Sequence, residues 1–269
     1  MSLLAVENLT VSYLSRGGAF PALRNFSCRV AAGDTVGVIG ESGAGKTTLA
    51  LALLGLLGDR AVIESGSIVF GGTELTKLTA GEWRKYRGGR LALIPQASQN
   101  IWNPVLTVGH QLAEHIEHHL GISRSDAVRQ AAAALREMGL EETVLASYPH
   151  QLSGGMRQRA AIAAACAVNP ACIIADECTN SLDVRYQNDV LQALENLRQA
   201  RGTAMVVISH DLAVIARLCR KTYVLLAGET VEAGLTADIL RSPVHPYARR
   251  MVADTCSFLA SLPAAGKEV

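Results

Sequence analysis

Residues suited to phosphate chemistry are concentrated between Gly40 and Thr48, in the stretch GESGAGKTT. The stretch follows the apolar run TVGVI and precedes the Ala/Leu-rich run LALALLGLL, so we predict a buried strand, a glycine-rich turn and a helix. A Gly-x-x-x-x-Gly-Lys-Ser/Thr pattern in this context is typical of loops that bind nucleoside triphosphates. A glycine-rich turn without a ligand is the alternative.

The residue types in this stretch fit the binding of a triphosphate and Mg²⁺. Gly40, Gly43 and Gly45 lack a Cβ, so their backbone amides can approach an anion at the N-terminus of the following helix. Lys46 can reach the β- and γ-phosphates, and the hydroxyl of Thr47 can ligate Mg²⁺. The other predicted ATP-binding residues of the loop are Glu41, Ser42, Ala44 and Thr48.

Two acids and a histidine follow apolar runs further along the chain. CIIADE ends in Asp176 and Glu177, which we interpret as a Mg²⁺ ligand and as the general base for the attacking water. Helix caps are the alternative for both acids. His210 ends MVVISH, and its imidazole would point from a strand end towards the nucleotide, although a lone histidine is more often structural.

A second amide cradle is predicted at LSGGMRQR, which opens a helix with a serine and two glycines. Its order relative to GESGAGKT, Gln96, IIADE, the SLD that ends at Asp183, and His210 resembles that of an ABC-type ATPase subunit. The resemblance extends from Leu3 to about Ala233. It implies ATP and Mg²⁺ as cofactors.

The resemblance assigns roles across a subunit interface. In this family two nucleotide-binding domains meet head to tail, and the LSGG of each closes over the ATP held by the other. Ser153, Gly154 and Gly155 would therefore contact the γ-phosphate in the partner subunit. Asp183 would line the same interface.

Within one subunit, the resemblance implies that Tyr13 stacks on adenine and that Gln96 senses both Mg²⁺ and the attacking water. His210 would hold the γ-phosphate, so the implied catalytic set is Glu177, His210, Gln96 and Lys46. Tyr13 also fits a strand aromatic that packs on the sheet. Two departures from the family pattern, Cys178 in place of a proline and Asn180 in place of a smaller or aliphatic residue, concern the packing of the interface loop.

The strands and helices that carry these residues are predicted to form an α/β fold. We predict a P-loop ABC ATPase core with a mostly parallel sheet, an N-terminal antiparallel β-layer and an inserted helical subdomain. The predicted limits are 1–240 for the nucleotide-binding domain, about 97–168 for the helical insertion and 241–269 for a short C-terminal tail. The helix after the phosphate loop is predicted to run from Lys46 to Leu57, and SGSIVFGG to form a short strand.

Composition narrows the classes of function. The formal net charge of +1, from 25 basic and 24 acidic side chains, gives no support for nucleic-acid binding. Six cysteines without a C-x-x-C pair indicate neither a zinc site nor a disulfide framework. We find no secretory signal and no apolar run near the roughly 20 residues that span a bilayer, so a membrane role requires partner subunits.

The tail narrows the group within the family. ILRSPVHPYARRMV, which contains His245, Pro246 and Tyr247, and IWNPVLTVG both resemble segments of peptide and nickel importer ATPases. The short end after Tyr247 and the absence of a cysteine cluster there favour the nickel type, with the peptide type as the alternative.

HQLAEHIEHH permits two interpretations. A metal site is conceivable because His115 and His119 lie one helical turn apart. A solvent-facing amphipathic helix, with Leu112, Ile116 and Leu120 as its buried stripe, is the interpretation we favour.

We therefore expect the ATP-hydrolysing subunit of an ABC importer for nickel, a metal chelate or short peptides. The expected partners are a second ABC ATPase subunit (a paralogue or a second copy), two transmembrane permease subunits and an extracytoplasmic substrate-binding protein, at the cytoplasmic face of the inner membrane. A non-transport ABC ATPase acting on nucleic acid or ribosomes is the alternative, which the balanced charge and the lack of heptads between Lys46 and Ser153 disfavour. Glu177 disfavours a nucleotide-binding regulator without turnover.

Overall fold

The computed structural model describes residues 2–15, 17–96, 101–179 and 182–261. Its first sheet is antiparallel, with the strand order β2-β1-β4-β5. These strands are β1 (Ser2–Ser15), β2 (Gly18–Ala31), β4 (Ala61–Phe70) and β5 (Thr73–Glu74). The sheet buries side chains such as Leu4 and Val6 on one face, as alternation in LLAVENLTVSY requires. The predicted N-terminal antiparallel layer is thus confirmed.

The second sheet carries the phosphate loop and has the strand order β10-β9-β3-β8-β7-β6. These strands are β3 (Thr35–Gly40), β6 (Leu91–Ile94), β7 (Cys172–Asp176), β8 (Ala204–Ile208), β9 (Lys221–Leu226) and β10 (Glu229–Leu235). All pairs are parallel except β9 with β10, and β3, β7 and β8 are buried along their whole length, which explains their continuous apolar runs. The carboxyl ends of β3, β8, β7 and β6 therefore lie side by side at one edge.

Helices cover the second sheet and form the predicted helical subdomain. They are α1 (Lys46–Leu53), α2 (Ala80–Trp83), α3 (Val108–Leu120), α4 (Arg124–Glu137), α5 (Gly154–Ala167), α6 (Val184–Arg201), α7 (Leu212–Leu218), α8 (Thr236–Arg241) and α9 (Pro246–Ser261). Helices α3, α4 and α5 pack on one another through buried Ala and Leu side chains. Among the described residues no helix is both long and apolar enough to cross a bilayer. The limits predicted for the domain, the insertion and the tail stay predictions.

Local geometry corrects three details of the sequence prediction. Helix α1 ends at Leu53 instead of Leu57, because the amides of Gly55 and Leu56 turn back onto the carbonyls of Ala52 and Leu51. Gly55 has φ 58, and a Cβ there would lie 2.3 Å from the Trp83 ring, so the turn requires glycine.

The strand predicted at SGSIVFGG is longer, because β4 begins at Ala61, where it pairs with the end of β1. The apolar stripe of α3 is shorter than predicted. Leu112 and Ile116 are buried, but Leu120 is 37% exposed because the helix ends there and the chain turns away at Gly121.

Candidate active site

A cavity of about 590 Å³ opens at the carboxyl edge of β3 and gathers most of the predicted site. The predicted residues in its lining are Tyr13, Gly40, Glu41, Ser42, Gly43, Gly45, Lys46, Thr47, Thr48, Gln96, Glu177 and His210. Ala44 and Asp176 lie behind this lining and are buried. Neighbouring strand ends supply the groups, since β3 leads to the loop, β8 to His210, β7 to Glu177 and β6 to Gln96.

The phosphate loop depends on glycine at two close backbone approaches. A Cβ at Gly40 would lie 2.3 Å from the carbonyl oxygen of Leu225 on β9. A Cβ at Gly45, whose φ is 99, would lie 2.4 Å from the carbonyl oxygen of Ala22 on β2. The loop is therefore held between the two sheets, and it feeds directly into the N-terminus of α1, where backbone amides favour an anion.

Lys46 places a buried positive charge inside this loop. Its Nζ donates hydrogen bonds to the carbonyl oxygens of Gly40, at 2.7 Å, and Glu41, at 2.9 Å. The ammonium group is thus held against the loop's own backbone, beside the amides that face the cavity. A phosphate-bearing ligand in this cavity would meet a fixed cation and the N-terminus of a helix.

Asp176 and Thr47 form a candidate Mg²⁺ site. The Thr47 hydroxyl hydrogen-bonds to the Asp176 carboxylate, and burial, more than any other effect, raises the pKa of Asp176. The Asp176 Oδ1 atom is buried and has no hydrogen-bond partner among the described residues. A buried carboxylate oxygen next to a hydroxyl is the kind of hard-oxygen donor set that Mg²⁺ takes, so these residues fit the ion.

Glu177 lies between two other predicted catalytic groups. Nε2 of Gln96 donates to Oε2 of Glu177 at 2.8 Å, and Nδ1 of His210 lies 3.5 Å from Oε1 of the same carboxylate. The backbone of Glu177 is left-handed, with φ 48, while its amide donates to the carbonyl oxygen of Ile208. Such a conformation is costly for a non-glycine residue and is common at functional sites. It directs a carboxylate that is only 14% exposed towards the cavity.

Phe20 is a residue of the cavity that the sequence analysis missed. It pairs directly with Tyr13 across the β1–β2 hairpin, lines the cavity and is 66% exposed. Two aromatic side chains at facing positions of an antiparallel pair stand on the same face of the sheet. The available signal was the hairpin register, because Phe20 lies in the strand that returns after Tyr13.

The predicted trans-acting residues lie apart from this lining, as far as the structure describes it. Ser153 caps α5 by accepting from the amide of Met156, and Gly154 and Gly155 form the first turn of that helix. Asp183 caps α6 by accepting from the amides of Arg185 and Tyr186. Both capping residues are exposed, and neither is among the described residues that line the cavity.

Cys178 and Asn180 are the two departures from the family pattern, and the structure describes the first of them. Cys178 is buried, its carbonyl accepts from the side chain of Gln158, and burial raises the pKa of its thiol to about 12. The side chain thus packs as an apolar group. Asn180 lies outside the described residues.

Two histidines of α3 border a groove, and His118 is exposed, as expected for a solvent-facing amphipathic helix. His115 and His118 line a second cavity of about 620 Å³, together with Trp102 and Leu112. Burial lowers the pKa of His115 to about 4, and its ring meets that of His119 at 4.7 Å. Among the described residues no group of three or more His, Cys, Asp or Glu side chains could hold a metal ion.

Comparison with known proteins gives consistent matches. The family model described as "ABC transporter" matches residues 23–180, more than half of the chain. The chain is 37% identical to a dipeptide transport ATP-binding protein of Lactococcus lactis, over 99% of this chain and 75% of that protein. It is 38% identical to a glutathione import ATP-binding protein of Escherichia coli, over 94% of this chain and 42% of that protein. A dimeric ATP-binding cassette solved in a post-hydrolysis state with ADP and Pi has a TM-score of 0.80 and 28% identity, covering 87% of this chain and 98% of that one.

Proposed function

Because the chain belongs to the ABC transporter family, we propose that it is the ATP-hydrolysing subunit of an importer of short peptides. It is an ATPase that uses ATP and Mg²⁺. The observation that carries the proposal is that one cavity is lined by both the Lys46 loop and Glu177. In this cavity the Glu177 carboxylate accepts a hydrogen bond from Gln96 and lies next to the His210 ring.

Different residues of the cavity have different roles in the proposed hydrolysis of ATP. Lys46 and the loop amides bind the phosphates, while Asp176 and Thr47 would hold Mg²⁺ together with Gln96. Mg²⁺, when bound, neutralises charge that develops on the phosphates. Glu177 accepts the proton of the attacking water, and Gln96 and His210 fix the direction of its carboxylate. Tyr13 and Phe20 offer aromatic faces to the adenine.

A second subunit completes each site in this proposal. Ser153, Gly154 and Gly155 present an exposed helix N-terminus, and Asp183 an exposed cap, away from the chain's own cavity. Such a helix end suits the γ-phosphate of an ATP held by another cassette. The similarity to a dimeric cassette solved with ADP and Pi supports this arrangement.

The groove beside α3 is the proposed contact with a permease subunit. Ile101 and Val105 are exposed apolar side chains at this groove or in the turn beside it, a few residues after Gln96. Nε1 of Trp102, in the same segment, donates to the carbonyl oxygen of Arg157 on α5, the helix that Ser153 caps. An apolar permease helix in this groove would thus touch segments that lead to both parts of the ATP site. We place the subunit at the cytoplasmic face of the inner membrane, with two permease subunits and a substrate-binding protein.

The proposed cargo is a short peptide instead of nickel. The relatives described above are named for dipeptides and for glutathione, itself a small peptide. The cassette does not contact the cargo in this proposal, so the relatives are the support for this choice.

Uptake by living cells tests the proposed function. A strain that lacks this gene is complemented with the wild-type chain or with Lys46→Ala, and labelled dipeptide and labelled nickel are supplied in parallel. We expect the wild type alone to restore dipeptide uptake, with nickel uptake equal in all strains. Intact dipeptide uptake in the deletion strain, with nickel uptake lost, would contradict the proposed cargo and leave the ATPase assignment in place.

A further inference from the structure

The His245-Pro246-Tyr247 segment is fastened to the second sheet at the start of α9. The Glu232 carboxylate on β10 accepts from the backbone amides of Val244, at 3.0 Å, and His245, at 2.8 Å. Nδ1 of His245 then accepts from the amide of Tyr247 at 3.2 Å and caps the first turn of the helix. Pro246 opens the helix, where no amide is needed. The three residue types together fix where the Tyr247 ring enters the core.

Tyr247 reaches the phosphate loop from the side opposite to Lys46. Its ring is buried, with 6% of the residue exposed, and its Oη accepts a hydrogen bond from the amide of Glu41 at 2.8 Å. That amide belongs to the same peptide group as the carbonyl oxygen of Gly40, which accepts from Nζ of Lys46 at 2.7 Å. Because a peptide group is planar, the tyrosine and the lysine hold the two ends of one rigid unit.

We propose that Tyr247 is a positioning residue for Lys46 and acts through the Gly40–Glu41 peptide group. The tyrosine fixes the rotation of this peptide plane, and the plane fixes the carbonyl against which the lysine ammonium rests. The tail helix α9 thereby sets the geometry of the phosphate loop. This inference rests on the proposed function, since it takes the Lys46 loop as the ATP site.

A role in packing alone is the alternative, because the Tyr247 ring also lies in the core beside Ala248. The two roles differ in whether the effect of the hydroxyl depends on Lys46. A positioning role requires that dependence, whereas loss of packing adds to any change at Lys46. A double-mutant cycle on ATP affinity therefore separates them.

The experiment measures equilibrium binding of ATP to the wild type, Tyr247→Phe, Lys46→Ala and the double variant, with thermal unfolding of each. We expect Tyr247→Phe to weaken ATP binding about fivefold, which corresponds to the net value of one hydrogen bond, and its unfolding midpoint to fall by no more than the loss of one hydrogen bond accounts for. In the Lys46→Ala background the same change should have no further effect. Tyr86→Phe is the matched control, because its ring contacts Phe70, on β4 of the first sheet, and Arg90.

A second variant, Glu232→Gln, loosens the segment without altering Tyr247 and should weaken ATP binding in the same direction. Unchanged affinity in both Tyr247→Phe and Glu232→Gln overturns the inference, as does an equal loss in the wild-type and Lys46→Ala backgrounds. Failure of the proposed function has a different signature. In that case Lys46→Ala would bind ATP as tightly as the wild type.

Discussion

Glu177 combines a strained backbone with the catalytic position that we propose for it. Its left-handed backbone costs on the order of 1 kcal/mol, and the hydrogen bond from its amide to the carbonyl oxygen of Ile208, together with the contact to Gln96, holds it in place. Replacing the carboxylate by an amide leaves the backbone hydrogen bond to Ile208 in place. The residue therefore suits a substitution that separates catalysis from binding.

Phe20 provides a prediction at the residue scale. We expect Phe20→Ala to raise the KM for ATP about tenfold with little change in kcat, because an aromatic face that stacks on a base contributes about 1–3 kcal/mol. Leu14→Ala is the control, since Leu14 is an exposed neighbour on the same hairpin and is not among the lining residues that the structure describes. Steady-state hydrolysis over a range of ATP concentrations is the measurement. Equal KM values for the two variants would remove Phe20 from the adenine site.

Whether a site residue could be predicted from the sequence depended on whether its signal lies within one short segment of the chain. The position of Lys46 and Glu177 at one cavity could be predicted from the sequence, because their types and their flanking apolar runs are contiguous. Phe20 and the role of Tyr247 could not, because the first depends on the register of a hairpin and the second on a contact with Glu41, far away in the sequence. Contacts between residues that are far apart in the sequence cannot be read from a short sequence motif.

At the scale of elements, the strands of the second sheet were the most predictable part. Continuous apolar runs such as CIIAD and AMVVI give strands buried on both faces, and the structure confirms them. The end of α1 was not predictable from periodicity, because Gly55 stops the helix through its own φ and the packing of Trp83. The predicted burial of Leu120 was wrong for a similar reason, since apolar spacing does not show where along a helix the packing against other elements ends.

Helix α3 supplies a prediction of pH dependence. Burial first, and then His119 and His118, lower the pKa of His115 from its ordinary 6.5 to about 4. Above pH 6.5 the His115 imidazole is neutral in both the folded and the unfolded chain, so the full contribution of His115 to the free energy of unfolding is present there. As the pH falls from about 6.5 towards 4, His115 becomes protonated in the unfolded chain but stays neutral in the folded chain. The free energy of unfolding therefore decreases over this range.

We expect this loss to be on the order of 1–3 kcal/mol in the free energy of unfolding. Urea unfolding at pH 7.5 and pH 5 measures it, and His115→Gln should reduce the difference between the two pH values. His150→Gln is the control, because His150 lies at the surface, stacked on Tyr148. The same pH dependence in wild type and His115→Gln would show that His115 is not its source.

At the scale of the whole molecule, we propose that the two groups of site residues act together across two chains. Lys46 and Glu177 line the cavity of one chain, while Ser153 and Asp183 cap helices and are not among the described residues that line it. In a homodimer each ATP would be enclosed by the cavity of one subunit and the α5 cap of the other. Lesions in the two groups should then complement one another.

A mixing experiment tests this arrangement for a homodimer of the chain. Lys46→Ala and Ser153→Arg chains carry different tags, and the mixed dimer is isolated through both. One of its sites carries both lesions and the other neither, so we expect about half of the wild-type hydrolysis rate if the sites act independently. Each variant alone should be nearly inactive. A mixed dimer no more active than its parents would argue that each chain uses its own Ser153.

We propose that Glu177 activates water at an ATP site formed around Lys46. The most direct measurement compares ATP hydrolysis and ATP binding in the wild type and in Glu177→Gln, with Glu64→Gln, an exposed residue on β4, as the control. We predict that Glu177→Gln lowers turnover by about 10²–10⁴, the usual effect of losing a positioned general base, while ATP affinity stays within about threefold of the wild type. Turnover near the wild-type rate in Glu177→Gln, with ATP still bound, would contradict the account.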